Sequence, residues 1–193
     1  MRIISGTHRS RQFHIPDNLG IRPTTDFAKE ALFNILQNRI DFEGMKVLDL
    51  FGGSGSMSYE FASRGCAEIT SIEKNPKCCN FIKKTANEFN FTNIKVITMD
   101  VFKFLSLCSE TFDLIFADPP FKLANIERIP SLVFEKNLLK ENGTLIVEHP
   151  VEVSFPEIKQ PQERREYGTV NFSIFTPYPA LLEKEKGEQQ TDE

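Results

Sequence analysis

From Met45 onward, short apolar runs alternate with stretches long enough to hold a helix. The runs are Val47-Leu48-Asp49-Leu50-Phe51, Ile69-Thr70-Ser71-Ile72, Ile94-Lys95-Val96-Ile97, Leu114-Ile115-Phe116 and Thr144-Leu145-Ile146-Val147. Strands buried on both faces read as near-continuous apolar runs, and parallel neighbours need crossover connections. The alternation therefore predicts a doubly wound α/β sheet. Helix signals fall between the runs. Asn75-Pro76 offers an N-cap followed by proline at the first helical position, and Phe81, Ile82, Ala86 and Phe89 form a helical stripe. Gly65 and Gly143 stand where helix C-caps are expected.

The two ends follow other patterns. Arg2-Ile3-Ile4-Ser5 and Gln12-Phe13-His14-Ile15, around the turn-like segment from Gly6 to Arg11, predict an N-terminal β-hairpin carrying Arg2, Arg9 and Arg11. Arg22-Pro23-Thr24-Thr25-Asp26 reads as a helix start with Thr or Asp as N-cap. Phe27, Ala31 and Ile35 share a face with Ala28, Leu32 and Leu36, so an amphipathic helix is expected over about 26–39. After Pro150, Glu163–Tyr167 and Thr169–Phe175 meet at Gly168 and predict an antiparallel hairpin at the sheet edge, with Val170, Phe172 and Ile174 facing the core. The expected organisation is a single domain over 1–182, with 1–20 a basic hairpin extension and 21–182 the core. Residues 183–193 are expected to be a disordered acidic tail.

Composition narrows the class. A chain of 193 residues with 40% hydrophobic and 26% charged residues can bury a core without staples. Cys66, Cys78, Cys79 and Cys108 form no C-x-x-C pair and have no histidines at metal spacing, so reduced thiols and no metal are expected. No run is apolar enough to span a membrane and Met1–Gly6 lacks the hydrophobic core of a signal peptide, which predicts a soluble, cytoplasmic protein. The net charge of −4 argues against nucleic acid, but it is unevenly spread: residues 1–39 hold six Arg/Lys against three acids, whereas 183–193 hold five acids and two lysines. That asymmetry points to a local basic face.

Each parallel run ends in or is followed by an acid: Asp49, Glu73, Asp100, Asp118 and Glu148. Ligands of open α/β sheets bind beyond the carboxyl ends of the strands, although acids there also serve as helix caps. After Asp49 comes Phe51-Gly52-Gly53-Ser54-Gly55-Ser56, a turn a ligand can approach closely. A dinucleotide fingerprint needs a third glycine where Ser58 stands. S-adenosylmethionine suits the acids better, because it is cationic and carries a ribose diol and an adenine amine. Asp49 can support its amino-acid end, Glu73 can take both ribose hydroxyls, and Asp100 can accept from the adenine. Asp118-Pro119-Pro120-Phe121 ends a strand stiffly. It is either a plain turn or a device in which the Asp118 carboxylate and the Pro119 carbonyl accept from a nucleobase amine while Phe121 stacks on the base.

Taken in order, Arg22-Pro23-Thr24-Thr25-Asp26, Leu32-Phe33-Asn34, Asp49 to Gly55, Ser71-Ile72-Glu73, Asp118-Pro119-Pro120-Phe121 and Tyr167-Gly168 resemble the RsmD family of 16S rRNA guanine 2-amino methyltransferases, from Arg2 to about Phe175. The glycine loop and D-P-P-F are shared by many amino methyltransferases; the opening Arg-Ile-Ile-x-Gly and the R-P-T-T-D segment are the narrower signal. The resemblance implies a class I S-adenosylmethionine-dependent, Rossmann-like seven-stranded sheet in the order 3-2-1-4-5-7-6. It places Asp49, Phe51, Gly53, Gly55, Glu73, Asp100 and Val101 at the cofactor, and Asp118, Pro119 and Phe121 at the guanine. Arg2, Arg9, Arg11, Arg22, Thr24 and Asp26 are expected at the RNA, although capping explains the entry-loop residues equally well. The implied partner is small-subunit rRNA, free or in an assembling 30S particle, met by a monomer without a metal. Gly52 departs from the family, which often has Ala there, and is expected to loosen the turn. The alternatives are a DNA adenine methyltransferase, which more often has Asn at position 118 and a separate target-recognition region, a nicotinamide-dependent oxidoreductase, and a non-catalytic RNA-binding module.

Overall fold

The computed structural model describes residues 1–21, 26–159, 162–168 and 170–176. The elements in order are α1 (Asp26–Leu36), β1 (Lys46–Leu50), α2 (Ser56–Ser63), β2 (Glu68–Glu73), α3 (Pro76–Glu88), β3 (Ile94–Thr98), α4 (Val101–Leu107), β4 (Phe112–Ala117), α5 (Arg128–Glu135), β5 (Leu139–His149), β6 (Gln162–Tyr167) and β7 (Val170–Phe175). The strands form one seven-stranded sheet in the order β3-β2-β1-β4-β5-β7-β6. β1 to β5 are parallel, whereas β7 runs antiparallel to both β5 and β6. All five apolar runs are thus parallel strands, in the expected order.

The apolar runs are continuous because the sheet is covered on both faces. On one face α1, α2 and α3 pack Leu32, Phe33, Tyr59, Phe61 and Ile82 against Phe116, Ile146 and Phe172. On the other, α4 and α5 pack Leu105, Ile129 and Val133 against Leu48, Leu50, Ile115 and Val147. The glycine loop lies between β1 and α2, and the Asp118 segment between β4 and α5, so both open at the carboxyl edge of the central strands.

The N-terminal segment is a ribbon stitched to α2. It pairs through a single antiparallel bridge, Arg2 to Gln12, supported by Ile3 N–H to the Arg11 carbonyl at 2.9 Å and Ser10 N–H to the Ile3 carbonyl at 2.8 Å. A longer ladder does not form because the ribbon's other polar groups turn to α2. Ile4 and Ser5 N–H donate to the Glu60 carboxylate at 2.8 and 3.0 Å, and Thr7 N–H donates to the Ser63 carbonyl at 2.8 Å. Gly6, at φ +80°, passes so close that a Cβ there would stand 1.8 Å from the Ser63 oxygen. Glu60 is wholly buried, yet it accepts those two N–H groups, takes Arg64 Nε at 2.9 Å and faces the buried Lys29 Nζ at 3.6 Å. A buried carboxylate is tolerable only with such partners. Burial lowers the Lys29 pKa, and Glu60 and Asp26 oppose that shift.

Some expectations need correction. α1 stops at Leu36, where 37–39 turn off to bring Ile40 N–H to the Leu36 carbonyl. Phe27, expected on the core face, is 70% exposed. Gly65 does follow α2 with φ +97°, but Gly143 lies inside β5; the left-handed residue after α5 is Asn137 at φ +51°. Val170 is half-buried while Phe172 and Ile174 face the core as expected, and Asn171, Ser173 and Phe175 are buried as well because β7 lies inside the sheet. The tail and Thr169 lie outside the described residues.

Candidate active site

The glycine loop is shaped by left-handed backbone. Phe51, Gly53 and Gly55 have φ of +67°, +53° and +79°. Such a value at a non-glycine residue costs energy that the surroundings must offset, and it concentrates at functional turns. Gly52 N–H donates to the Ile72 carbonyl at 2.9 Å and Gly55 N–H to the Gly52 carbonyl at 2.7 Å, closing the turn over β2. A Cβ on Gly52 would stand 2.3 Å from Ser71 Oγ, so glycine at 52 and serine at 71 are matched to each other. Glu73, at the end of β2, holds the loop from the far side: Oε2 accepts from Gly53 N–H at 2.9 Å and Oε1 from Asn75 N–H at 2.7 Å. Each carboxylate oxygen retains a second lone pair.

The acids at the carboxyl edge act on one another. Asp49 is buried and accepts a hydrogen bond from Ser58 Oγ. Its pKa is pushed up to about 7 by burial, with Asp118 and Glu73 adding to the rise and Ser58 opposing it. Glu148, the last residue but one of β5, is pushed up to about 9 by burial and by Asp118. Among the described residues, no lysine or arginine offsets either acid. Ser71 Oγ and Glu148 Oε2 are buried and have no hydrogen-bond partner among the described residues. Buried polar groups left in this state and acids without cations fit a cationic ligand with hydroxyl and amine groups.

Asp118 is half-buried, with its N–H 3.4 Å from the Leu50 carbonyl, which ties it to the strand that carries Asp49. Pro119 is buried, Leu123 N–H donates to the Pro120 carbonyl at 2.7 Å, and the Phe121 ring is 42% exposed beside this tight turn. Asp100 is exposed and caps α4, accepting from Lys103 N–H at 3.1 Å, while Val101 is buried in the first turn. Both stand beyond β3, at the same edge. Arg2 lies 3.9 Å from Asp26 and 3.8 Å from Glu30, and Asp26 Oδ1 is buried without a partner among the described residues. Lys29, one turn on, reaches Ser56 Oγ at 3.1 Å and the Arg2 carbonyl at 2.7 Å, which joins this group to the start of α2 just beyond the glycine loop.

The structure does not bring Arg9 and Arg11 to the acids. Arg9 is exposed, while Arg11 lies over the Phe89 ring at 4.5 Å and donates to the Glu88 carbonyl at 3.2 Å. That is the C-terminal end of α3, which adjoins the amino end of β3. Arg22 and Thr24 lie outside the described residues. Among the described residues no group of acids, histidines and cysteines could hold a metal, and no helix is long and apolar enough to cross a membrane. Cys66 is buried, which pushes its thiol up to about 12.

Sequence reasoning left three contributors without a role. Ser58 had a visible signal, since it replaces a fingerprint glycine and so places a hydroxyl beside Asp49. Glu148 was visible as a fifth acid at a strand end. Ser71 was not readable, because its closeness to Gly52 follows from sheet register, Asp49 opposite Ser71, and from the turn above it.

The family model described as Conserved hypothetical protein 95 matches residues 1–176. The chain is 32% identical over 186 residues to Ribosomal RNA small subunit methyltransferase D of Buchnera aphidicola subsp. Baizongia pistaciae, covering 96% of this chain and 86% of that protein. It is 32% identical over 158 residues to the protein of the same name from Escherichia coli strain K12, covering 82% of this chain and 79% of that one. Among solved structures, a putative methyltransferase from Escherichia coli superposes with a TM-score of 0.80 at 29% identity, over 91% of this chain and 97% of that chain.

Proposed function

Since the chain belongs to the RsmD family of small-subunit ribosomal RNA methyltransferases, we propose that it transfers a methyl group from S-adenosylmethionine to the 2-amino group of a guanine in 16S rRNA. When bound, that cofactor supplies an electrophilic methyl group on a sulfonium. The chain's own residues do the rest. Asp49 and the left-handed glycine loop receive the cofactor's amino-acid end, and Glu73 accepts the ribose hydroxyls with the lone pairs it does not give to Gly53 and Asn75. Asp100 and Val101 border the adenine. The Asp118 carboxylate and the Pro119 carbonyl accept from the amine, turning its lone pair towards the methyl group, and the exposed Phe121 ring stacks on the base.

The observation that carries this reading is that Asp49, Asp118 and Glu148 stand together where three neighbouring strands, β1, β4 and β5, reach their carboxyl ends. An acceptor for an amine and an acid seeking a cation therefore share one site, a combination that an RNA-binding module does not need.

Asp118 governs turnover and leaves cofactor affinity largely alone. Losing one preorganised partner costs about 100- to 1,000-fold in rate. Asp118→Asn keeps an acceptor oxygen but loses the charge that stabilises the developing ammonium, so it retains more activity than Asp118→Ala. The measurement is single-turnover methyl transfer to small-subunit rRNA, with the modified nucleotide mapped and the cofactor titrated against each variant. Wild-type rates in Asp118→Ala overturn the mechanism; a modified adenine, or NAD binding in place of S-adenosylmethionine, overturns the function.

A further inference from the structure

Among the described residues, the large apolar side chains left exposed are Phe27, Leu107, Phe121 and Val151. A single apolar residue on a surface needs no explanation, but a gathering of them at one edge does. Leu107 closes α4 at the amino edge of the sheet, whereas the other three stand at the carboxyl edge: Phe121 follows β4, Val151 follows β5 and Phe27 belongs to the first turn of α1. That turn adjoins the glycine loop, because Lys29 reaches Ser56 Oγ at 3.1 Å and a Cβ on Gly53 would stand 3.7 Å from Ile21 Cγ2. Phe27 is the most exposed of the four, and among the described residues its ring has no aromatic or cationic partner. Phe33, on the same helix, shows the ordinary alternative: it is wholly buried, with its ring 5.6 Å from Phe42 and 5.3 Å from Phe61.

The surroundings of Phe27 are charged. Phe27, Glu30 and Asn34 share the solvent face of α1, and the half-exposed Arg2 guanidinium lies along that face, 3.9 Å from Asp26 and 3.8 Å from Glu30. An aromatic ring rimmed by ions lacks the contiguous apolar core of a protein interface. It matches an unpaired nucleobase, whose π-face stacks on a ring while its edges and its phosphate meet polar and charged groups. We propose that Phe27, beside the Arg2 guanidinium, is the stacking platform for an unpaired base that flanks the target guanine in small-subunit rRNA. The proposal rests on rRNA being the substrate. Phe121 takes the target base, and Phe27 takes a neighbour, which helps to select the guanine that is presented.

The first measurement is the affinity of Phe27→Ala, Phe27→Leu and Phe27→Trp for small-subunit rRNA at several salt concentrations, with Tm and cofactor affinity determined for each. Phe27→Ala weakens rRNA binding by roughly tenfold, within the range that one stacked base is worth. Its salt dependence keeps the wild-type slope, because the ring neutralises no phosphate. Tm and cofactor affinity stay at wild-type values, and so does the single-turnover rate once rRNA saturates. Phe27→Leu keeps apolar bulk without a π-face and stays weak, whereas Phe27→Trp binds at least as well as wild type. Wild-type affinity in Phe27→Ala or in Phe27→Leu overturns the proposal, and a lowered Tm in Phe27→Ala returns the ring to packing and overturns it too.

The second measurement uses the absence of tryptophan from the chain, which makes Phe27→Trp a single-tryptophan protein whose emission reports on that one position. Stacking on a base quenches the emission when small-subunit rRNA is added, and a fully paired RNA duplex of the same strand length leaves it unchanged, because paired bases offer no free face. Emission that rRNA does not alter, or that the duplex alters equally, overturns the proposal. Emission that changes with protein concentration in the absence of RNA assigns the ring to a second copy of the chain and overturns it as well. Wild-type protein that methylates rRNA while Phe27→Ala binds it equally well loses this inference alone. A Phe27→Trp protein that rRNA quenches, in a chain that methylates no guanine, overturns the proposed function and leaves the platform standing.

Discussion

Burial holds the Asp49 carboxyl at about 7, with Asp118 and Glu73 adding to the rise, so near neutral pH it is divided between acid and carboxylate. A cationic ligand draws it to the carboxylate form, and binding then releases a proton. Affinity for S-adenosylmethionine accordingly rises between about pH 6 and pH 8. Calorimetry in buffers of different ionisation enthalpy detects the released proton, and Asp49→Asn abolishes both effects at the cost of weaker binding. A pH-independent affinity in wild type would remove Asp49 from the cofactor site. Without ligand the sign reverses: the folded chain retains a proton that the unfolded chain gives up near 3.8, so this residue's contribution to stability declines as pH rises from there to about 7. At this scale residue type and position at the strand end were enough to single out Asp49, Glu73 and Asp118. The match between Gly52 and Ser71, and the Asp118 to Glu148 neighbourhood, depend on register between strands, which no single stretch of chain specifies.

Among the elements, the N-terminal ribbon shows why an apparently loose motif is exacting. Gly6 has both a left-handed φ of +80° and no room for a methyl group against the backbone of Ser63. Gly6→Ala is therefore expected to cost about 2 kcal/mol or more, read as a lower urea midpoint at unchanged slope. Ser63→Ala does not rescue it, because the obstruction is a main-chain carbonyl; a wild-type midpoint in Gly6→Ala would mean that the ribbon lifts away at little cost. The parallel strands were legible because burial on both faces leaves an unbroken apolar signature. Phe27 was not, since its helical spacing matches the core stripe while its place at the start of α1 leaves it 70% exposed. Gly143 misled for a related reason: its residue type suggested the end of α5, but Asn137 had already supplied the left-handed turn and Gly143 continues a strand.

Over the whole molecule, acids gather at the carboxyl edge of the sheet while Arg9 and Arg11 ride on the ribbon beside the ends of α2 and α3. A long polyanion that puts one base among those acids must place its phosphates elsewhere, and the ribbon offers cations away from the site. Replacing both Arg9 and Arg11 by Ala is expected to weaken rRNA binding and to flatten its dependence on salt by up to about two phosphate contacts, with cofactor affinity untouched. An unchanged slope would move the RNA footprint off the ribbon. The sheet order carries a consequence for synthesis. β7, the last strand described, lies between β5 and β6, so the hydrogen-bonding edge of β5 stays open until Phe175 has left the ribosome. A chain that stops before Val170 has made the glycine loop, the Asp118 turn and Glu148, yet it lacks the strand that pairs with β5 beside Glu148. Such a fragment presents a bare, apolar β5 to whatever strand it meets first, and a prematurely terminated message is therefore expected to yield aggregates rather than a half-active enzyme.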